Sequence, residues 1–177
     1  LELAGQTGSR FVEMQATGNL ASMLERQSPS EEAFCLYRKA LELSYRHGGN
    51  DSVAIAHANL AGALARTRED TRAMEHYGKA LEICRREGMG LHRADYAMEL
   101  LIVLIRCREL DRASRLFQEL DSWELPLDYH VSLEHARALM KNAMGHSEES
   151  CEILLGILEE ARPGVEKFDV LALLYQI

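Results

Sequence analysis

Proline is scarce in this chain of 177 residues, confined to Pro29, Pro126 and Pro163. β-Branched residues are also few, and the two shortages together favour helix over strand. Lysine is scarce beside arginine, four against sixteen, and the net charge is −8. Nonspecific binding to nucleic acid or to an anionic membrane surface needs basic patches, so neither is expected as a partner. Local recognition by single arginines stays open. The four cysteines, Cys35, Cys84, Cys107 and Cys151, form no C-x-x-C pair. Thiols without a framework fit a reducing compartment, and a cytoplasmic location is expected. No apolar run approaches the roughly 20 residues of a membrane span, and no leader segment is expected.

The motifs of chemistry are missing too. There is no H-E-x-x-H, no G-x-x-x-x-G-K-[ST], no G-x-G-x-x-G and no G-x-S-x-G. His130 and Glu134 stand at i, i+4 beside His135, but no cysteine joins them at ligand spacing. The seven histidines therefore read as ordinary exposed or half-packed residues. Cys107, between Arg106 and Arg108, ends an apolar helix and reads as a packed thiol rather than a reactive one. Trp123 reads either as an anchor at a kink or as a packed position. No metal, no cofactor and no enzymatic activity are expected.

What the chain does have is a period. Gly8, Gly48 and Gly88 recur forty positions apart. In the same register Leu20-Ala21 returns as Leu60-Ala61 and weakens to Leu100-Leu101. Leu24 matches Leu64 and Leu104, Ala33 matches Ala73 and Ala113, Tyr37 matches Tyr77 and Phe117, and Ala40 matches Ala80 and Leu120. A fixed period of this length marks a repeat array, in which each unit buries its apolar face on its neighbours.

The periodicity and the punctuation predict helices in antiparallel pairs and no strands. They run from Arg10 to Arg26, from a Ser28-Pro29-Ser30 start to His47, and from about Asp51 to Thr67. Others run from Asp70 to Glu87, from His92 to Arg108 and from Leu110 to Trp123. After a break at Leu125-Pro126-Leu127-Asp128, a fourth unit turns at Gly145, about three residues out of register, and continues with a helix from Cys151 to Ala161. A ninth helix starts at Val165. The glycines at 5, 8, 48 and 88 are expected to supply turns, with positive φ at Gly5 and Gly8. The units fall at roughly 10–48, 50–88, 90–124 and 127–162, with a partial one at 165–177. The chain starts at the repeat equivalent of Leu41 and stops inside the apolar pattern Leu173-Leu174-Tyr175-Gln176-Ile177. A fragment of a longer protein is the expectation, with open ends that could self-associate.

Leu60-Ala61, Leu64, Ala73, Tyr77 and Ala80-Leu81 show the pattern of one unit best, and it resembles the tetratricopeptide repeat (TPR). Gly18-Asn19-Leu20-Ala21 and Ala58-Asn59-Leu60-Ala61 look like the longer variety of kinesin light chains and of bacterial signalling and transcription regulators. The stretch from Ala136 to Ala161 is similar to the arrays of large bacterial transcription activators. The resemblance implies an all-α fold, an α-α superhelix of antiparallel helix pairs whose first helices line a concave groove. The sequence departs from the family at Leu101, where a small crossing residue is expected and where the pair should splay, and at Thr17, His57 and Ala97, which replace the consensus tryptophan.

Two polar columns recur on the first helices without a packing reason. One is Asn19, Asn59 and Glu99; the other is Arg26, Arg66 and Arg106. Asparagine offers a donor and an acceptor to a peptide backbone, and arginine a planar fork to carboxylates or phosphates. The resemblance also implies ligand contact at the Asn column. The alternative for the Arg column is pairing with a carboxylate at the next helix start, such as Glu31, Glu69 or Asp70. Chaperone-binding arrays carry basic residues where this chain has Asp95 and Glu99, which argues against an acidic C-terminal tail as ligand and suggests an amphoteric one. The expected function is a protein–protein interaction module that holds a peptide or partner helix in its groove, within a larger regulatory protein. The alternative is an effector-sensing segment of a bacterial transcription or signal-transduction regulator.

Overall fold

The computed structural model describes residues 10–27, 30–126 and 128–160. Among these there are eight α-helices and no strand. In chain order they are α1 (Arg10–Gln27), α2 (Glu31–His47), α3 (Asn50–Arg66), α4 (Asp70–Glu87), α5 (Gly90–Arg106), α6 (Leu110–Asp121), α7 (Asp128–Ala143) and α8 (Ser147–Glu160). The expected boundaries hold to within a few residues, except that α8 begins four residues earlier than Cys151. The expected turns at Gly5 and Gly8 and the helix from Val165 lie outside the described residues. The chain divides into two compact units, Leu1–Leu100 and Leu101–Ile177, with the division inside α5.

In the first unit α1 packs on α2 and α3 on α4, while α2 also packs on α3 and α1 reaches α3. The repeated small residues lie where the paired helices meet: Ala21, Ala61, Ala73 and Ala80 are fully buried, and Ala33 nearly so. Without side chains beyond Cβ the helix backbones approach closely, and Tyr37, Tyr77, Leu60 and Leu64 fill the space left beside them. Ser30 caps α2, its hydroxyl accepting the Ala33 N–H at 3.2 Å, with Glu31 and Glu32 on the positive end of the helix.

In the second unit Leu101, Val103, Leu104, Ala113 and Leu120 are buried, and α7 packs on α8. The fourth pair preserves the pattern with a slip. Ala138 and Ser150 meet in fully buried positions, and the Ser150 hydroxyl donates to the Ala138 carbonyl at 2.8 Å. Leu154 and Ile157 pack against Ala138, with Ile153 and Leu158 at the margin.

The turns inside the second, third and fourth pairs are built the same way. Glu69 N–H bonds the Leu64 carbonyl and Arg68 N–H that of Ala65; Glu109 bonds Leu104 and Arg108 bonds Ile105; His146 bonds Lys141 and Gly145 bonds Asn142. This double bond closes a helix end through a left-handed residue, here Arg68 (φ 65°), Arg108 (φ 62°) and Gly145 (φ 88°). The register slip is visible at these turns: 37 residues separate Arg108 from Gly145, against 40 between Arg68 and Arg108. The sequence column of glycines, by contrast, serves two different ends. Gly88 is left-handed (φ 70°), whereas Gly48 is extended (φ −94°) and is small because a Cβ would lie 2.8 Å from the Ser44 carbonyl oxygen and from Ser52 Cβ.

An L-residue with a side chain is disfavoured in the left-handed region by about 1 kcal/mol, and glycine is not. Arg68→Gly and Arg108→Gly should therefore each raise the unfolding free energy by about 0.5–1 kcal/mol, and Gly145→Ala should lower it by about 1 kcal/mol. Urea denaturation of the three variants beside the wild type checks this; unchanged midpoints throughout would mean that the turns hold no such strain.

Candidate partner-binding groove

In the first unit α1, α3 and the first part of α5 share a face, and the forty-residue period puts Asn19, Asn59 and Glu99 at the same station on each. All three are exposed. Two adjoining clefts run across this face. The first, of about 260 Å³, lies between α1, α2 and α3 and is lined by Met14, Gln15, Asn19, Tyr37, Ala40, Ile55 and Asn59, with Ser44 and Ser52 at its edge. The second, of about 300 Å³, is lined by Ser22, Asn59, Gly62, Arg66, Tyr77, Asp95, Tyr96 and Glu99. Asn59 borders both. The structure thus brings Asn19 together with Asn59, and Asn59 with Glu99. Gly62 lies at the floor of the second cleft, where a Cβ would sit in ordinary contact with an Arg66 guanidinium nitrogen at 3.4 Å and the Tyr77 hydroxyl at 3.5 Å.

The arginine column behaves differently. Arg66 points its guanidinium at Glu25 of α1: Nε donates to Oε1 at 2.9 Å, and Nη2 donates to Oε2. Glu25 is buried to within 8% side-chain exposure and also accepts the Tyr37 hydroxyl at 2.8 Å. Burial, with the neighbouring Glu25 carboxylate, pushes Tyr37 up to about 12, so it remains a donor. The hydrogen bond to Glu25 also raises the Arg66 pKa above its ordinary value despite burial. Arg66 is therefore a clamp between successive first helices. The alternative for the column, an arginine paired with a carboxylate at the next helix start, is corrected for Arg66, whose partner is Glu25; Glu31 pairs with Arg38 at 3.1 Å, and Glu69 with Arg72. Arg26 is exposed and lines neither cleft; Arg106 is half-buried and belongs to the second unit.

No protein-family model and no curated protein sequence matches the chain. Solved structures do. BtubC (BKLC) from P. vanneervenii superposes with a TM-score of 0.70 at 18% identity, covering 88% of this chain and 68% of that one. The "kinesin light chain nearly identical TPR-like repeats" of Podosopora anserina superpose with a TM-score of 0.71 at 15% identity, covering 93% of this chain and 84% of that one. A single-substitution form of those repeats superposes with a TM-score of 0.72. The fold is that of a TPR-like repeat array. At such identities the likeness extends to the backbone of the array and not to its ligands.

The array departs from its own sequence pattern at His57. Thr17, His57 and Ala97 are all buried at the station where related repeats carry tryptophan. The Thr17 hydroxyl donates to the Glu13 carbonyl at 2.7 Å. His57 instead sits in a side-chain chain across three helices: its Nε2 lies 2.7 Å from the Tyr45 hydroxyl of α2, and its Nδ1 lies 2.8 Å from Nδ1 of His76 on α4. Burial, then His76 and Lys79, lower the His57 pKa to about 4; burial, then Lys79 and Arg72, lower that of His76. His76 is half-buried, as expected of these histidines, whereas His57 and His135 are buried and depart from that expectation. Among the described residues no three His, Cys, Asp or Glu side chains gather as a metal site, and no helix is long and apolar enough to cross a membrane.

Glu25, Gln15 and Tyr96 are also new. Glu25 was hidden because its column, Glu25, Ala65 and Ile105, does not recur; the clue was a lone carboxylate forty-one residues before Arg66. Tyr96 stacks on His92 with ring centroids 5.8 Å apart, and burial, with Cys84 and Asp95 adding to it, pushes its hydroxyl up to about 12.

Two outcomes follow from these contacts. Removing the guanidinium leaves Glu25 largely buried with Tyr37 as its remaining partner. Arg66→Ala should lower stability by about 1 kcal/mol, a figure kept modest because Arg66 is mostly exposed, whereas Arg26→Ala should stay within about 0.5 kcal/mol of wild type. Equal urea midpoints for the two would dismiss the clamp. For the histidines, the folded pKa is depressed, so between about pH 6.5 and 4 the unfolded chain binds more protons. Stability is complete above about pH 6.5 and falls as the pH drops toward 4, by on the order of 3 kcal/mol for His57. Melting curves from pH 7.5 to 4 should show this slope, and His57→Leu should flatten it.

Proposed function

We propose that the array is a protein–protein interaction module, without catalytic activity of its own, that holds an extended peptide or a helix of a partner along the face made by α1, α3 and the first part of α5. The observation that carries this reading is Asn59, exposed and shared by two clefts that Asn19 and Glu99 extend to either side. A carboxamide presents both a donor and an acceptor, which suits a main chain laid across it. Side chains on either side of that main chain would enter the two clefts, so affinity comes from the backbone and selectivity from the clefts. TPR-like folds are in general scaffolds for protein partners, and a grooved face of this construction suits that role.

The variant that tests it is Asn19→Ala/Asn59→Ala, which touches exposed side chains and leaves the Arg66–Glu25 clamp in place. Bait protein retained on a column should capture a partner from native lysate that the double variant releases, with affinity reduced about tenfold or more and helical circular dichroism unchanged. Equal retention by both would move the binding surface off this face.

A further inference from the structure

The two clefts differ in chemistry, and the difference identifies the ligand more narrowly. The first is walled by Met14, Ala40 and Ile55, with carboxamides at its rim. The second has Tyr77 and Tyr96 in its walls and Asp95 and Glu99 one helical turn apart along α5. Among the described residues its one basic lining side chain is Arg66, whose charge is met by the buried Glu25 carboxylate in a bidentate pair. With that pair neutral, the exposed Glu99 carboxylate sets the sign of the second cleft. An exposed carboxylate attracts a cation and repels an anion.

We infer that the second cleft takes a lysine or arginine side chain of the bound peptide, against the Glu99 carboxylate, while an apolar side chain of the same peptide fills the first cleft and its backbone crosses Asn59. This rests on the groove reading above and gives it a partner chemistry: a basic and apolar segment, not an acidic or an amphoteric one. The spacing follows from geometry. Neighbouring packed helices lie about 8–10 Å apart, and a chain in polyproline II conformation advances about 3.1 Å per residue with three residues per turn, so two side chains on the same side stand about three residues apart. Glu99 occupies the station of Asn19 and Asn59 one repeat on, which puts the cation at the end of the same backbone track.

The test is selection from a displayed library of random dodecapeptides, performed with the wild-type chain, Glu99→Gln, Glu99→Arg and Asn19→Ala/Asn59→Ala. Wild type should enrich Lys or Arg about three residues from an apolar residue, preferring it roughly tenfold over Gln at that place. Glu99→Gln should erase the preference, and Glu99→Arg should turn it toward Asp or Glu. Peptides without basic enrichment that the double Asn variant still loses would overturn the inference and leave the groove reading standing. Selection of no peptide, or of peptides that the double Asn variant binds equally well, would overturn both.

Discussion

Two helices lie close along one another only where the residues between them are small, and the array depends on that constraint. Ala21, Ala61, Ala73, Ala80, Ala113 and Ala138 carry no exposed surface at all. Each removes a side chain from a crossing and draws the backbones together, which creates a narrow space beside the crossing for Tyr37, Tyr77 or Phe117. Where the slipped fourth pair replaces an alanine by Ser150, the added hydroxyl is accommodated by bonding back to the Ala138 carbonyl across the pair. Close approach is retained, and the buried Ser150 hydroxyl has its partner.

Choosing tyrosine for that space has consequences further out. A buried phenol needs a partner, and Tyr37 finds Glu25. A buried carboxylate in turn is costly without a cation, and Arg66 supplies one from the next first helix. Core packing thus leads in two steps to an ion pair on the floor of the groove. Phe117, at the equivalent station of the third repeat, has no hydroxyl and sets no such requirement; the Arg137 guanidinium lies 5.3 Å over its ring instead. The first and third repeats thus differ in polar chemistry with the oxygen on their aromatic.

This explains what could be read from the sequence and what could not. Helices, pairing and core were legible because burial repeats: Leu60, Ala61, Leu64, Ala73 and Tyr77 recur in register for the same packing reason each time, and all are buried. The stations of Asn19, Asn59 and Glu99 were legible because the same period carries them to one face. The role of Arg66 was not, because its partner stands in another repeat at a station that does not recur. His57 stands out in the sequence only as a substitute at the tryptophan station, and its contacts are not legible there because its two partners, Tyr45 and His76, come from different helices. The left-handed turns escaped for a related reason: Arg68 and Arg108 occupy them without the glycine that would announce the conformation. A period exposes what every repeat shares, and contacts that only one repeat makes are silent in it.

The same distinction separates scaffold from specificity. Columns that pack, such as Ala33, Ala73 and Ala113, change little from repeat to repeat, because a larger side chain there would force the helices apart. The exposed column has no such constraint, so a change from asparagine to Glu99 costs the fold little and alters what the face attracts. Arg66 lies between these cases: on the face of the groove, yet held by the core through Glu25 and Tyr37. Its charge is largely met by a buried carboxylate, although the guanidinium is itself mostly exposed. Packing thus fixes one column and leaves the other free to vary, and Glu99 is the exposed residue that departs from its own column.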